Sequence, residues 1–233
     1  MADLASAPDY RFHPHRNRAS IGYNGRQVRN DCANYGSKSR LDVFREGELK
    51  LDAQCDWLEG VERVLSPNCD ERPEGTRISL VIVHGISLPP GEFGGPWIDQ
   101  LFTNQLDRGL HPYFEEIADL RVSTHLLVRR DGKVVQYVPF SKRAWHAGPS
   151  CFRDKAACND FSIGIELEGE DETPYTEEQY QVLAKLIAVL REAYPAIGHD
   201  AVVGHCDVAP GRKTDPGLAF DWQHLNQLLI QQA

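Results

Sequence analysis

The run Arg77-Ile78-Ser79-Leu80-Val81-Ile82-Val83-His84 is rich in β-branched residues and almost continuously apolar. Such a strand has no polar face to give to water, so it must lie inside a sheet with material packed on both sides. A second run, Phe161-Ser162-Ile163-Gly164-Ile165-Glu166-Leu167-Glu168, alternates strictly. Phe161, Ile163, Ile165 and Leu167 share one face, and Ser162, Gly164, Glu166 and Glu168 share the other. Two carboxylates beside a glycine leave room for a further group on that face.

The other segments supply the flanking layers. Pro67, Pro73 and Gly75 punctuate the entry into the fold. After His84, residues 85–91 form a loop, and Gly94-Gly95-Pro96 prepares a helix whose apolar stripe is Ile98, Leu101 and Phe102. Residues 122–128 and 133–138 read as two strands joined by Asp131-Gly132, a dipeptide that tolerates the positive φ angles of a tight hairpin turn. Residues 176–194 carry a Thr176-x-x-Gln179 capping box, a stripe of Leu183, Leu186, Ile187, Leu190 and Tyr194, and Pro195 as terminator. Ala201-Val202-Val203 leads into His205, and a last helix over residues 221–230 presents Trp222, Leu225 and Leu229. Strands and helices mix without regular βαβ alternation, which favours an α/β fold with a mixed central sheet flanked by helices over a doubly wound one.

Composition narrows the class. At 233 residues and 41% hydrophobic, the chain is long enough for one sizeable core. A formal net charge of -9 argues against nucleic acid as a partner, because phosphate binding needs a basic surface field. The charge is uneven: residues 1–50 hold nine Lys or Arg against six Asp or Glu. Residues 1–55 also lack a sustained period of two or 3.6, so they are expected to be an irregular or disordered extension before a catalytic domain over 56–233. No apolar run approaches the ~18 residues of a membrane span, and no apolar leader follows the first charges. A cytoplasmic protein without a membrane partner is expected. Its six cysteines lack the spacing of a disulfide framework and contain no C-x-x-C pair, as suits free thiols in a reducing compartment.

The chemistry concentrates in Gly204-His205-Cys206-Asp207-Val208-Ala209-Pro210-Gly211-Arg212-Lys213-Thr214-Asp215-Pro216-Gly217, where Pro and Gly constrain the backbone around polar side chains. A catalytic zinc takes three protein ligands from His, Asp or Glu and Cys. His84, His205 and Asp215 fit that number and type, with Asp207 and Cys206 as rival ligands. Amide hydrolysis also needs a base for water and positive charge near the developing oxyanion, roles open to Glu166 and Lys213.

Several stretches together carry a resemblance. They are Val83-His84, Leu88-Pro89-Pro90-Gly91-Glu92-Phe93-Gly94-Gly95-Pro96-Trp97, Ala144-Trp145-His146-Ala147-Gly148, Ile163-Gly164-Ile165-Glu166-Leu167-Glu168-Gly169, Gly204-His205-Cys206-Asp207 and Arg212-Lys213-Thr214-Asp215-Pro216-Gly217. From about Trp57 to the final helix the chain resembles AmpD-type N-acetylanhydromuramyl-L-alanine amidases. These belong to the zinc amidase group that includes phage lysozyme-type amidases and peptidoglycan recognition proteins.

The resemblance implies that group's mixed sheet, Zn2+ held by His84, His205 and Asp215, and catalysis by Glu166 and Lys213. It also implies an anhydromuramyl peptide as cytoplasmic substrate, cut between the lactyl group and L-alanine, by a protein expected to act as a monomer. The acidic stem peptide needs local basic groups, for which Arg121 and Arg212 are candidates, and Trp145 is placed to pack against sugar or peptide. Gly85 stands where the family commonly has Asn, and Lys155-Ala156-Ala157 lacks an arginine before Cys158. Both departures bear on substrate affinity. A non-catalytic muropeptide-binding module would typically lack one of the three ligands. A phage-like lysin acting on intact wall would favour a basic surface or an export signal.

Overall fold

A computed structural model of the chain describes residues 49–232. Of the extension expected over 1–55, residues 1–48 lie outside the described residues. From residue 49 onward the chain already packs: Leu51 bridges to Leu58, and Leu49 and Leu51 lie against the main core. Among the described residues, no helix is long and apolar enough to cross a membrane.

The strands are β1 (Glu62–Arg63), β2 (Cys69–Glu71), β3 (Leu80–Ile86), β4 (Leu126–Val128), β5 (Val134–Gln136), β6 (Lys142–Ala144), β7 (Cys151–Phe152), β8 (Lys155–Ala156), β9 (Ser162–Glu168) and β10 (Val202–Gly204). The helices are α1 (Trp97–Phe102), α2 (Pro112–Ile117), α3 (Glu177–Ala193), α4 (His205–Val208) and α5 (Trp222–Gln231). Six strands form one sheet in the order β1-β5-β4-β9-β3-β10. β4, β9, β3 and β10 run parallel, while β5 is antiparallel to β4. This is the mixed sheet flanked by helices that the sequence implies. Two small ribbons, β2 with β6 and β7 with β8, stand apart from it.

β9 and β3 are neighbouring interior strands, and residues 80–84 of β3 and all seven residues of β9 are buried. The even-numbered face of β9, polar in sequence, is therefore as deeply enclosed as its apolar face. Phe161, Ile163, Ile165 and Leu167 share a core with Leu183, Leu186 and Ile187 of α3 and Leu225 of α5. A second cluster joins Ile98, Leu101 and Phe102 of α1 and Phe114 and Ile117 of α2 to Leu127 and Val135 of the hairpin.

Both halves of the α3 capping box form, and the Gln179 amide nitrogen also donates to the carbonyls of Val128 and Glu168. One residue thus ends the helix and docks it on β4 and β9. Each fully buried apolar side chain of α3 contributes about 1.5–3 kcal/mol, against propensity differences of a few tenths per residue. Packing, more than propensity, holds this helix.

The β4–β5 hairpin turns where expected but by other means. Val128 pairs with Val134, the Gly132 N–H bonds the Arg129 carbonyl, and Gly132 alone of the turn has positive φ, +81°. The Asp131 carboxylate accepts from the Lys133 N–H. The connection is a longer turn closed by a left-handed glycine, with no positive φ required of Asp131.

Candidate active site

Strand register assembles half of the site. In the parallel β3–β9 pair His84 lies directly beside Glu166, and in the β3–β10 pair Val83 lies beside Gly204. His205, the next residue and the first of α4, therefore arrives next to His84. β3 runs two residues past His84, so Gly85 and Ile86, expected to open the loop, still belong to the strand. The Cys206 N–H donates to the Asp215 carbonyl at 3.0 Å, which folds the loop back and returns Asp215 to the histidines. The cluster lies at the carboxyl ends of parallel strands, where open α/β sheets leave a crevice.

Three donor atoms converge. His84 Nδ1 and His205 Nδ1 are 3.0 Å apart, and Asp215 Oδ2 lies 3.2 Å from the first and 3.0 Å from the second. Tetrahedral zinc with bonds of about 2.0–2.1 Å would set its ligands roughly 3.3 Å apart. The proton inventory points the same way. His205 Nε2 lies 3.1 Å from the Ala147 carbonyl, which can only accept, so the proton of the neutral ring is on Nε2 and Nδ1 is a bare lone pair. Two ring nitrogens and a carboxylate oxygen this close need a proton or a cation between them, and with the protons on the outer ring nitrogens all three present lone pairs to one point. The residues therefore fit a metal ion of zinc's preferences.

The charges around the triangle are strongly perturbed. Burial, reinforced by His205, lowers the His84 pKa to about 4, so the ring is neutral at physiological pH. Burial pushes Asp215 upward, but its hydrogen bonds with His205 and His84 outweigh that and hold it below the usual carboxylate range. Burial and then Asp215 hold Glu166 well above that range, with Lys213 drawing it partly back. Glu166 Oε1 lies 3.9 Å from His84 Nδ1, while Oε2 is buried without a hydrogen-bond partner. Lys213 is half-buried, and its charge reaches both Glu166 and His84.

Residues 74–218 match the model of the family described as N-acetylmuramoyl-L-alanine amidase, a span that contains every group just described. The chain belongs to this amidase family. Within it the chain is of the AmpD type. It is 60% identical over 173 residues to the 1,6-anhydro-N-acetylmuramyl-L-alanine amidase AmpD of Salmonella typhimurium, covering 74% of this chain and 92% of that protein. The Escherichia coli protein of the same name is 58% identical over 176 residues, covering 76% and 96%. A crystal structure of a selenomethionine derivative of AmpD superposes with a TM-score of 0.74 at 57% identity, covering 77% of this chain and 98% of that one.

Other residues of the amidase have clear places. Asp207 is exposed and turns its carboxylate to the Gly204 N–H at 2.7 Å, so it caps α4 and leaves the triangle to Asp215. Glu168, the second carboxylate of β9, accepts from the N–H groups of Gly94 and Arg130 and anchors two loops. Arg212 donates to the carbonyls of Ala147 at 2.6 Å and Pro149 at 2.8 Å. Trp145 is half-buried and donates its ring N–H to Asp70, whereas Arg121 is exposed and bonds the carbonyls of Ala118 and Leu120. The space a side chain at Gly85 would need is filled by the Tyr175 hydroxyl, which donates to the Pro216 carbonyl. Lys155 and Ala156 are exposed on β8.

Sequence reasoning assigned no role to His146, which meets His84 Nε2 at 2.9 Å. The signal was present in the alternation of β9. A Cβ on Gly164 would lie 2.6 Å from the His146 ring, so that ring is what occupies the room beside the two carboxylates.

Proposed function

We propose that the chain is a zinc-dependent amidase that hydrolyses the amide between the lactyl group of 1,6-anhydro-N-acetylmuramic acid and L-alanine, in cytoplasmic recycling of the cell wall. The high identity to AmpD proteins along almost their whole length supports this substrate. The observation that carries the reaction type is the buried, unpartnered Glu166 oxygen beside three converging metal donors. A buried carboxylate oxygen left without a donor costs stability, and a water to be deprotonated supplies that donor.

In this reading His84, His205 and Asp215 hold Zn2+, which when bound supplies Lewis acidity toward water and the amide carbonyl. Glu166 takes a proton from the attacking water at Oε2 as the new C–O bond forms. The same proton passes to the alanine nitrogen as the C–N bond breaks, so the products are a free lactyl carboxylate and a free peptide amine. Lys213 places its ammonium near the carbonyl oxygen as that atom gains negative charge. Arg121, Arg212 and Trp145 are proposed to contribute to binding of the acidic peptide or the sugar, and the protein to act as a monomer.

Incubating the full chain with anhydromuramyl tripeptide, and separately with intact sacculi, tests the reading by product analysis. Release of tripeptide from the soluble substrate, lost with chelator and restored by zinc, is expected. Preferential cleavage of sacculi would point to a lysin, and binding without cleavage to a recognition module. Full turnover in metal-free protein would overturn the mechanism.

A further inference from the structure

One short loop, residues 145–149, touches both histidines of the triangle on the side away from Asp215. His146 Nδ1 meets His84 Nε2 at 2.9 Å, and the Ala147 carbonyl meets His205 Nε2 at 3.1 Å. On its far side the His146 ring continues to Ser162 Oγ through Nε2, at 3.2 Å. We propose that this loop is the positioning shell of the metal site, its His146 ring and Ala147 carbonyl together fixing which nitrogen of each histidine faces the metal. The inference rests on the zinc reading above and adds the residues that make the ligands ready.

The proton assignment follows step by step. The carbonyl of Ala147 only accepts, so His205 carries its proton on Nε2 and presents Nδ1. With His205 Nδ1 bare and Asp215 an acceptor, His84 presents a lone pair to a metal only if its own proton sits on Nε2. There His146 Nδ1 must accept it, which leaves the His146 proton on Nε2, facing Ser162 Oγ. A hydroxyl serves that arrangement because it can accept while rotating its own proton elsewhere. A ligand histidine is ordinarily oriented by a carboxylate, carbonyl or water. Here one ligand has a carbonyl, and the other has a second neutral imidazole.

The loop is itself held tightly. Asn159 Oδ1 accepts from the backbone N–H groups of His146, at 3.2 Å, and Ala147, at 2.8 Å. The Trp145 N–H donates to Ser123 Oγ at 3.0 Å. Arg212, from the same segment as Lys213 and Asp215, grips the Ala147 and Pro149 carbonyls. The Ala147 oxygen therefore serves both His205 and Arg212, and the loop that supplies two metal donors also clamps the loop that orients them. Arg212 is thus a positioning residue, whatever else it meets when substrate binds.

The test reads zinc affinity of the full-length protein by competition with a chromophoric chelator, with zinc alone as the probe. His146→Leu removes the acceptor and should weaken zinc binding about 10–100-fold. His146→Asn puts an amide oxygen near the Nδ1 position and should recover most of that loss. Arg212→Met leaves every metal donor in place and should weaken zinc about 10-fold through the Ala147 carbonyl. Thermal melting of the metal-free variants checks that each is folded, and Arg212→Met, altered at a half-buried side chain, keeps the test decisive if His146→Leu does not fold. Zinc affinity within threefold of the parent in Arg212→Met, or in a folded His146→Leu, would overturn the proposal. So would equal losses in the Leu and Asn variants. Because substrate is absent, an error in the assigned substrate or reaction leaves this outcome unchanged, and only failure of the parent to bind zinc would remove the reading on which it rests.

Discussion

Replacing Gly164 with alanine should act almost entirely through one ring. The added Cβ would sit 2.6 Å from Cγ and Nδ1 of His146 and 2.8 Å from Cδ2, where relaxed carbon contacts are about 3.5–4.0 Å. The ring has little freedom to retreat, being held at Nδ1 by His84, at Nε2 by Ser162 and through its backbone by Asn159. Overpacking of this kind costs about 1–3 kcal/mol, offset by roughly 0.5–1 kcal/mol because alanine loses less backbone entropy than glycine on folding. The net loss of about 0–2.5 kcal/mol lowers Tm by up to about 10 °C in a domain of this size. The same substitution on a His146→Ala background meets no ring and should be neutral or slightly stabilising. Chelator-treated parent, two single variants and the double variant form a cycle by thermal and urea unfolding, in which the entropy term cancels and the expected coupling is the overpacking cost of about 1–3 kcal/mol. Equal costs of Gly164→Ala in both backgrounds would refute the close approach.

Glu166→Gln should keep its zinc while turnover falls about 10²–10⁴-fold; measured loss of zinc would make Glu166 a ligand and leave the base unassigned. Lys213→Met should lower kcat about 10²–10³-fold with little change in KM, and an effect confined to KM would place the ammonium on bound substrate instead. The Arg143 hydrogen bond holds the Asp70 carboxyl below its usual pKa. Its contribution is therefore complete above the unfolded value of about 3.9 and is lost as pH falls through the folded value. With the two side chains 30% and 40% exposed, the effect stays under about 1 kcal/mol. Asp70→Asn should therefore melt below the parent at pH 7 and with it near pH 2, and a gap independent of pH would refute the assignment.

Elements with local causes were readable from the residues alone. Thr176, Gln179, the apolar stripe and Pro195 delimit α3 because each acts within one turn of the helix end or face that it specifies. β3 and β9 were legible from period and branching. Helices of four to six residues, such as α2 and α4, are too short to show a period, and α2 begins at Pro112 behind a His111 cap that carries no strong signal. Among the site residues, type and spacing left Asp207 level with Asp215, while Cys206 was the weaker rival because it adjoins His205. The backbone path separates them, as Asp207 turns to Gly204 while the Cys206 N–H draws Asp215 inward. The contacts of His146 with His84 and Ser162 were not legible because they form between segments distant in sequence, which spacing does not record.

The apolar core also explains why the reactive groups stay aligned. Sliding β9 by one residue against β3 would exchange its faces, bringing Glu166 and Glu168 toward Leu183, Leu186 and Ile187 and leaving Phe161, Ile163, Ile165 and Leu167 where His84 now stands. Burying a carboxylate in an apolar layer without partners costs several kcal/mol, and Glu168 would also lose its bonds to Gly94 and Arg130. Such a penalty is comparable to the whole stability of a domain. The alternation that places Glu166 beside His84 is thus enforced by residues on the opposite face of the same strand. Stabilising the core and holding Glu166 beside His84 are one requirement on β9.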